Sequence, residues 1–176
     1  MSKELEMEKT SEWTLFSGKA WVFGDDINTD LMYPGYVHTL PEEERYLHCM
    51  SANRPGWANE VSIGDIIVAG KNFGTGSSRP AAQSLFKLGI RCVIGETVNG
   101  LFLRNSINFG LPAIPVPGCT GLIKEGDIVQ VELLKGLVTN TGNAQTAQGT
   151  PLPDRLLNVV QQGGLIPMLK SLGYIR

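Results

Sequence analysis

The apolar run Ile66-Ile67-Val68-Ala69 leads directly into a glycine-rich turn, and this junction constrains the fold more than any other feature of the chain. A run of strand length without polar alternation is typical of a strand buried on both faces. Two further short apolar strands are predicted downstream, each preceded by a helical pattern. These segments are, in order, a helix over residues 80–88, a strand over 92–94, a helix over 98–108 and a strand over 111–116. Strands alternating with helices predict a parallel sheet with right-handed crossovers.

The segments on either side of this centre have a different character. Before it we expect a strand at residues 18–23, a functional loop at 25–39 and a helix at 41–49. After Gly118 we expect short alternating strands at 127–133 and 137–140, then helices at 156–161 and 165–172. The sequence therefore predicts one α/β domain over residues 16–176, with a parallel central sheet and a smaller antiparallel layer. Residues 1–15 are expected to be a solvated tail.

The bulk composition is that of a soluble globular protein. Of the 176 residues, 42% are hydrophobic and 18% are charged, which suits a single domain with a core. A net charge of −2 provides no general attraction to nucleic acid or to anionic membranes. The apolar stretches are too short to span a bilayer, and the charged N-terminus lacks the apolar segment of a signal peptide. We expect a cytoplasmic protein that binds neither nucleic acid nor membrane.

The three cysteines, Cys49, Cys92 and Cys119, are scattered along the chain. Without a C-x-x-C pair, we expect no zinc site and no iron–sulfur cluster held by this chain alone. Disulfides are not expected in a cytoplasmic protein. Cys92 lies in an apolar run and is expected to behave as a small buried hydrophobic residue.

The turn Asn72-Phe73-Gly74-Thr75-Gly76-Ser77-Ser78-Arg79 has the properties of an anion site. Gly74 and Gly76 allow positive φ and close backbone approach. Backbone N–H groups at a helix start favour an anion, and Arg79 adds a guanidinium fork suited to a carboxylate. An ordinary loop with a serine helix cap is the alternative. A dinucleotide fingerprint fails because its third glycine would fall at Arg79, and a Walker P-loop fails because no Gly-Lys-Ser/Thr follows.

Three segments in order resemble the small subunit of 3-isopropylmalate dehydratase and its aconitase-family relatives. The first is Gly24-Asp25-Asp26-Ile27-Asn28-Thr29-Asp30 with Pro34-Gly35-Tyr36, and the second is the run from Val68 to Arg79. The third is Phe102-x-x-Asn105-x-x-Asn108-x-Gly110-Leu111-Pro112, and the ending Gly163-Gly164-Leu165-Ile166 also fits. The resemblance covers roughly residues 17–173.

This resemblance implies the aconitase-type swivelling β/β/α domain and a hydro-lyase reaction. Family members remove water from a hydroxy-di- or tricarboxylate and add it back at the neighbouring carbon. A 4Fe–4S cluster acts there as a Lewis acid on the leaving hydroxyl, and it belongs to the large subunit where the subunits are separate. The resemblance thus implies a heteromer with a large, cluster-bearing partner and, as the leading substrate, the isopropylmalate of leucine biosynthesis.

The site roles follow from the same resemblance. Ser77 corresponds to the catalytic serine, whose alkoxide abstracts the proton next to a carboxylate, and Asp30 to a supporting acid across the cleft. Ser78 and Arg79 correspond to carboxylate binders. The remaining predicted substrate contacts come from the first segment and the loop after it, where relatives discriminate between substrate tails: Thr29, Tyr36, Val37 and His38. On the residues alone, Asp30 could instead organise its loop, His38 could be an ordinary exposed histidine, and Asp25 and Asp26 are expected to cap turns.

The chain also departs from the family pattern Gly-Cys-Gly-Ser-Ser-Arg-Glu-His. It has Thr75 in place of cysteine, and Pro80 and Ala81 in place of the Glu-His pair. Residues 96–100 depart as well. These differences leave open a homoaconitate-type or 2,3-dimethylmalate-type dehydratase, or a non-catalytic anion-binding module of the same fold. RNA binding is disfavoured by the negative net charge.

Overall fold

The computed structural model describes residues 14–76 and 79–176, and within them seven strands form one sheet. The strands are β1 (Leu15–Phe23), β2 (Ile66–Ala69), β3 (Cys92–Gly95), β4 (Ala113–Pro115), β5 (Ile128–Glu132), β6 (Leu137–Asn140) and β7 (Thr146–Gln148). The helices are α1 (Thr29–Met32), α2 (Ala81–Leu88), α3 (Gly100–Asn108), α4 (Cys119–Leu122), α5 (Asp154–Gln161) and α6 (Leu165–Ser171).

The first four strands are parallel and lie in the order β4-β3-β2-β1. Every residue of β2 and β3 is buried, as their uninterrupted apolar sequences predict. The register places Phe23, Ala69 and Gly95 side by side at the carboxyl ends of β1, β2 and β3. The loops that follow these three strands therefore leave the sheet at the same edge.

The antiparallel strands continue the same sheet on the other side of β1, in the order β1-β5-β6-β7. The predicted α/β class with parallel and antiparallel parts is confirmed, but the two parts share β1 and do not stack as separate sheets. Strand β7 was not predicted, because it is only three residues long and its side chains are mostly exposed.

Alternate residues of the parallel strands face two hydrophobic clusters, one on each side of the sheet. Ile67 and Val93 belong to the cluster covered by α2 and by residues 49–58, whereas Ile66 and Ile94 belong to the cluster covered by α4 and α5. Full burial of one such side chain stabilises the fold by about 1.5–3 kcal/mol. Residues of β2 and β3 thus hold both layers together.

Some helix boundaries differ from the sequence expectation. Residues 41–49 form turns and a short 3₁₀ segment (Arg45–His48) where a helix was predicted. The chain turns there because Cys49 and Met50 are fully buried and the Met50 amide donates to the Met32 carbonyl. The predicted loop at residues 25–39 contains α1 and a second 3₁₀ segment (Gly35–Thr39).

No helix in the described ranges combines the length and the apolar character needed to cross a membrane.

Candidate functional site

The loops after β1 and β2 are joined by backbone hydrogen bonds at the carboxyl edge of the sheet. The Asp26 amide donates to the Lys71 carbonyl, and the Gly74 amide donates to the Ile27 carbonyl, both at 2.8 Å. The Thr29 amide donates to the Thr75 carbonyl at the same distance. The first and second family segments, about 45 residues apart in sequence, therefore form one structural unit.

Asp25 and Asp26 strengthen this junction with their side chains. Oδ1 of Asp25 accepts from the Lys71 amide at 2.7 Å, and Oδ1 of Asp26 accepts from Nδ2 of Asn72 at 2.9 Å. Both carboxylates bond to the loop after β2, whereas the sequence expectation was that they would cap the turn that carries them.

The two glycines of the turn have the backbone geometry that their sequence predicts. Gly74 has φ +84° and Gly76 has φ +95°, in the left-handed region that side chains rarely adopt. A Cβ at Gly76 would lie 2.5 Å from Oγ1 of Thr29, so the turn packs tightly against α1. A Cβ at Gly74 would collide with the Phe102 ring.

Phe102 connects the third family segment to the same turn. Its ring packs edge-on against Phe73, with centroids 5.2 Å apart. At the other end of α3, a Cβ at Gly164 would collide with the Asn108 carbonyl, and a Cβ at Gly110 would collide with the Gly163 backbone. The three segments and the Gly-Gly ending are therefore linked in space through α3.

Arg79 and Asp30, both predicted as site residues, are in direct contact. Nε of Arg79 donates to Oδ1 of Asp30 at 2.7 Å. Asp30 is in the first turn of α1, which Asn28 caps by accepting from the Leu31 amide. The Arg79 guanidinium also borders the Pro34-Gly35 turn, because a Cβ at Gly35 would lie 3.8 Å from its Nη2. A guanidinium carries five N–H donors, so this ion pair leaves donors for a carboxylate.

Ser77 and Ser78 lie outside the described residues, and their assigned roles stay predictions. The helix after the turn begins at Ala81, with Pro80 in the cap position and no side-chain hydrogen bond to the cap. The helix start therefore follows Arg79 by two residues, later than a start at the serines would place it. The Pro-Ala-Ala sequence was the signal for this position, since proline is tolerated at a helix start.

The other predicted substrate contacts fall into two groups. Thr29 and Val37 are 4% and 0% exposed, so in this conformation their side chains pack inside the protein and support the site. Tyr36 and His38 are exposed on the 3₁₀ segment beside Arg79. The ring of His38 lies 5.0 Å from that of the buried Tyr33. The structure therefore leaves Tyr36 and His38 accessible at the surface.

Two residues of the loop after β3, Glu96 and Thr97, also organise the carboxyl edge of the sheet. The sequence did not predict a structural role for either of them. Thr97 accepts from the Asn72 amide with its hydroxyl and from the Phe73 amide with its carbonyl. Glu96 accepts from the amides of Gly118 and Thr120 and from the Thr120 hydroxyl, which fixes the start of α4. Their position directly after a buried strand was the available signal.

The described residues do not fit a metal ion or an iron–sulfur cluster. Within ranges 14–76 and 79–176, no three His, Cys, Asp or Glu side chains are grouped as ligands. The three cysteines are free and buried, and Cys92 packs in the core as predicted. Burial raises the pKa of Cys49 and of Cys92 to about 12, so these thiols stay protonated near neutral pH.

Comparison with known proteins places this arrangement in one family. Residues 26–117, more than half of the chain, match the model of the aconitase C-terminal domain. The chain is 42% identical to the 3-isopropylmalate dehydratase small subunit 1 of Methanopyrus kandleri over 158 residues, which cover 89% of this chain and 93% of the relative. It is 39% identical to the isopropylmalate/citramalate isomerase small subunit of Methanocaldococcus jannaschii, over 90% of this chain and 95% of the relative.

A solved structure agrees with the sequence relatives. A crystal structure of 3-isopropylmalate dehydratase from Methanocaldococcus jannaschii superposes with a TM-score of 0.82 at 36% identity. The match covers 91% of this chain and 96% of that chain. Sequence, fold and the joined loop motifs agree, and the chain belongs to the aconitase C-terminal domain family.

Proposed function

We propose that this chain is the small, substrate-binding subunit of an aconitase-type hydro-lyase that interconverts 3-isopropylmalate and 2-isopropylmalate in leucine biosynthesis, in the cytoplasm. The observation that carries the proposal is the contact between Arg79 and Asp30, at the point where the first two family segments meet. The names of the relatives support the same substrate and the same subunit role.

Arg79 is assigned to bind a substrate carboxylate. The planar guanidinium matches a carboxylate with two parallel hydrogen bonds. Asp30 holds Nε and so fixes the plane of the fork, while the nearby Gly35 leaves space beside Nη2. Asp30 is 66% exposed at its side chain and is accessible to act on the substrate as well.

Ser77 is assigned as the base, on its correspondence to the family serine. Its alkoxide would take the proton from the carbon next to the bound carboxylate, and the electron pair left behind would form the C=C bond as hydroxide leaves the neighbouring carbon. Addition of water in the opposite sense gives the isomer. An alkoxide needs stabilisation by hydrogen-bond donors and positive charge, and Arg79 is two residues away in the chain.

A large partner subunit is proposed to complete the site and to hold the 4Fe–4S cluster, since the described residues of this chain do not fit one. The small-subunit names of the relatives support such a partner. This chain, as one domain over residues 16–176, then contributes the carboxylate site and the base.

The substrate tail is proposed to lie towards Tyr36 and His38, the exposed residues of the 3₁₀ segment. The residues that replace the family's Glu-His pair fit the local structure without disturbing it. Pro80 is in the cap position of α2, and Ala81, 1% exposed, packs in the core. A homoaconitate-type or 2,3-dimethylmalate-type substrate remains the alternative for this site.

The test is reconstitution with the large subunit encoded by the same organism, assayed on a panel of alkylmalates and tricarboxylates. We expect turnover of 3-isopropylmalate only when both chains are present, and none with Ser77→Ala. Arg79→Lys should raise KM at least about tenfold because an ammonium group cannot form the paired hydrogen bonds. Arg155→Lys, at an exposed position on α5, is the matched control. A stable complex that turns over no hydroxy acid would instead favour a non-catalytic anion-binding module.

A further inference from the structure

The 3₁₀ segment Gly35–Thr39, which carries the proposed tail contacts, is held from one side by a second segment of the chain. Arg45 donates from Nε to the Leu40 carbonyl at 2.9 Å and from Nη2 to the His38 carbonyl at 3.2 Å. One side chain thus binds two carbonyls at the end of the tail-contacting segment. No sequence motif indicated this role for Arg45.

The beginning of the same segment is fixed by His48 and Ser51. The Tyr36 hydroxyl lies 2.7 Å from Oγ of Ser51 and 3.2 Å from Nδ1 of His48. The rings of Tyr36 and His48 also pack edge-on, with centroids 5.7 Å apart. Val37, between the two attachment points, is fully buried and anchors the backbone.

The segment that carries Arg45 lies beside the anion site. Arg45 and Tyr46 line a crevice together with Tyr33 and Pro80, the residue that directly follows Arg79. The hydrogen bonds of Arg45 go to the carbonyls of His38 and Leu40. Since Arg79 pairs separately with Asp30, we expect a change at Arg45 to act on the 3₁₀ segment more than on that pair.

We propose that Arg45 is a positioning residue that determines specificity for the substrate tail, acting through the backbone of His38 and Leu40, with His48 and Ser51 fixing Tyr36. The inference rests on the proposed function. Substrates with a bulky apolar tail reach the 3₁₀ segment and depend on its position, whereas substrates with a small tail depend mainly on Arg79.

The experiment compares 3-isopropylmalate with 3-methylmalate in the reconstituted two-subunit enzyme. In Arg45→Gln we expect kcat/KM for 3-isopropylmalate to fall about tenfold, mainly through KM, since a pocket that loses its fit to a few methyl groups loses selectivity of that order. For 3-methylmalate we expect a change of less than about twofold. Ser51→Ala should shift the ratio of the two kcat/KM values in the same direction.

Arg155→Gln removes the same charge from an exposed position on α5 and should leave the ratio unchanged. Arg45→Lys keeps the charge but offers a single ammonium group. Its ratio of the two kcat/KM values should therefore lie between those of Arg45→Gln and the wild type. An equal loss with both substrates in Arg45→Gln, or an unchanged ratio in both Arg45→Gln and Ser51→Ala, would overturn the inference. Failure of the wild-type pair on both substrates would overturn the proposed function, and this inference with it.

Discussion

Nε of Arg79 and Oδ1 of Asp30 lie 2.7 Å apart, although the two residues are 49 positions apart in the chain. The pair joins the loop after β1 to the glycine turn after β2. Since the Asp30 side chain is 66% exposed, the pair is expected to contribute little to stability. Its value lies in fixing the orientation of the guanidinium for a carboxylate.

Asp30→Asn tests this orientation, because asparagine keeps the shape of the side chain and removes its charge. We expect kcat/KM of the reconstituted enzyme to fall at least about tenfold, which corresponds to about 1.4 kcal/mol of transition-state stabilisation. The midpoint of thermal unfolding should change by no more than a few degrees. Glu132→Gln breaks the Lys135–Glu132 pair at the antiparallel end of the sheet and should leave activity intact. Equal activity in Asp30→Asn and wild type would contradict the assignment.

Gly76→Ala should destabilise the turn for two reasons that can be separated. The positive φ alone costs about 1–2 kcal/mol for a residue with a Cβ. The new methyl group would also meet Oγ1 of Thr29 at 2.5 Å. Gly56→Ala is the matched control, because Gly56 has φ +83° and open space around its Cβ position. Urea unfolding should show a larger loss in the free energy of unfolding for Gly76→Ala than for Gly56→Ala. An equal loss would show that the turn moves enough to accommodate the methyl group.

Glu96 provides a pH-dependent contribution to stability. Partial burial opposes ionisation of this carboxyl, but hydrogen bonds from Thr120 and Gly118 outweigh it and lower its pKa in the folded state. A folded-state pKa below that of the unfolded chain stabilises the protein above the unfolded value, near 4.3 for glutamate, and this contribution is lost as pH falls through the folded value.

Glu96→Gln should therefore reduce the free energy of unfolding at neutral pH by up to about 1 kcal/mol, because solvent screens the charged hydrogen bonds of this partly exposed carboxylate. The difference from wild type should shrink as the pH falls below the ordinary range of glutamate. Urea unfolding curves at a series of pH values measure this, with Glu43→Gln, at an exposed position, as the control. A difference that stays constant with pH would contradict the role of the ionised carboxylate.

The three cysteines should be inert in the folded protein. Cys49, Cys92 and Cys119 are all 0% exposed, and burial raises the pKa of each thiol to about 12. Since the thiolate is the reactive form, a thiol reagent at pH 8 should label none of them in the native chain and all three in denaturant. Fast labelling of a native cysteine would show local opening around it.

The sequence correctly predicted those elements whose residue types are typical of a single setting, such as a buried strand or the end of a helix. The uninterrupted apolar runs of β2 and β3 identified buried parallel strands, and Gly89, with φ +100°, marked the end of α2. Residues 41–49 were predicted wrongly as a helix. Their local pattern favours a helix start, but burial of Cys49 and Met50 and the contacts of Arg45 decide the path of the chain.

Short stretches of the chain are enough to predict the fold class, the family segments and the residue types of an anion site. Strand burial, glycine turns and guanidinium chemistry are local properties of such stretches. The contact between Arg79 and Asp30 and the hold of Arg45 on the 3₁₀ segment become visible only in the folded chain. The same is true of the burial of Thr29 and Val37. These relationships depend on the parallel register that aligns the carboxyl ends of β1, β2 and β3. That register is set by packing on both faces of the sheet, which no local stretch of sequence contains.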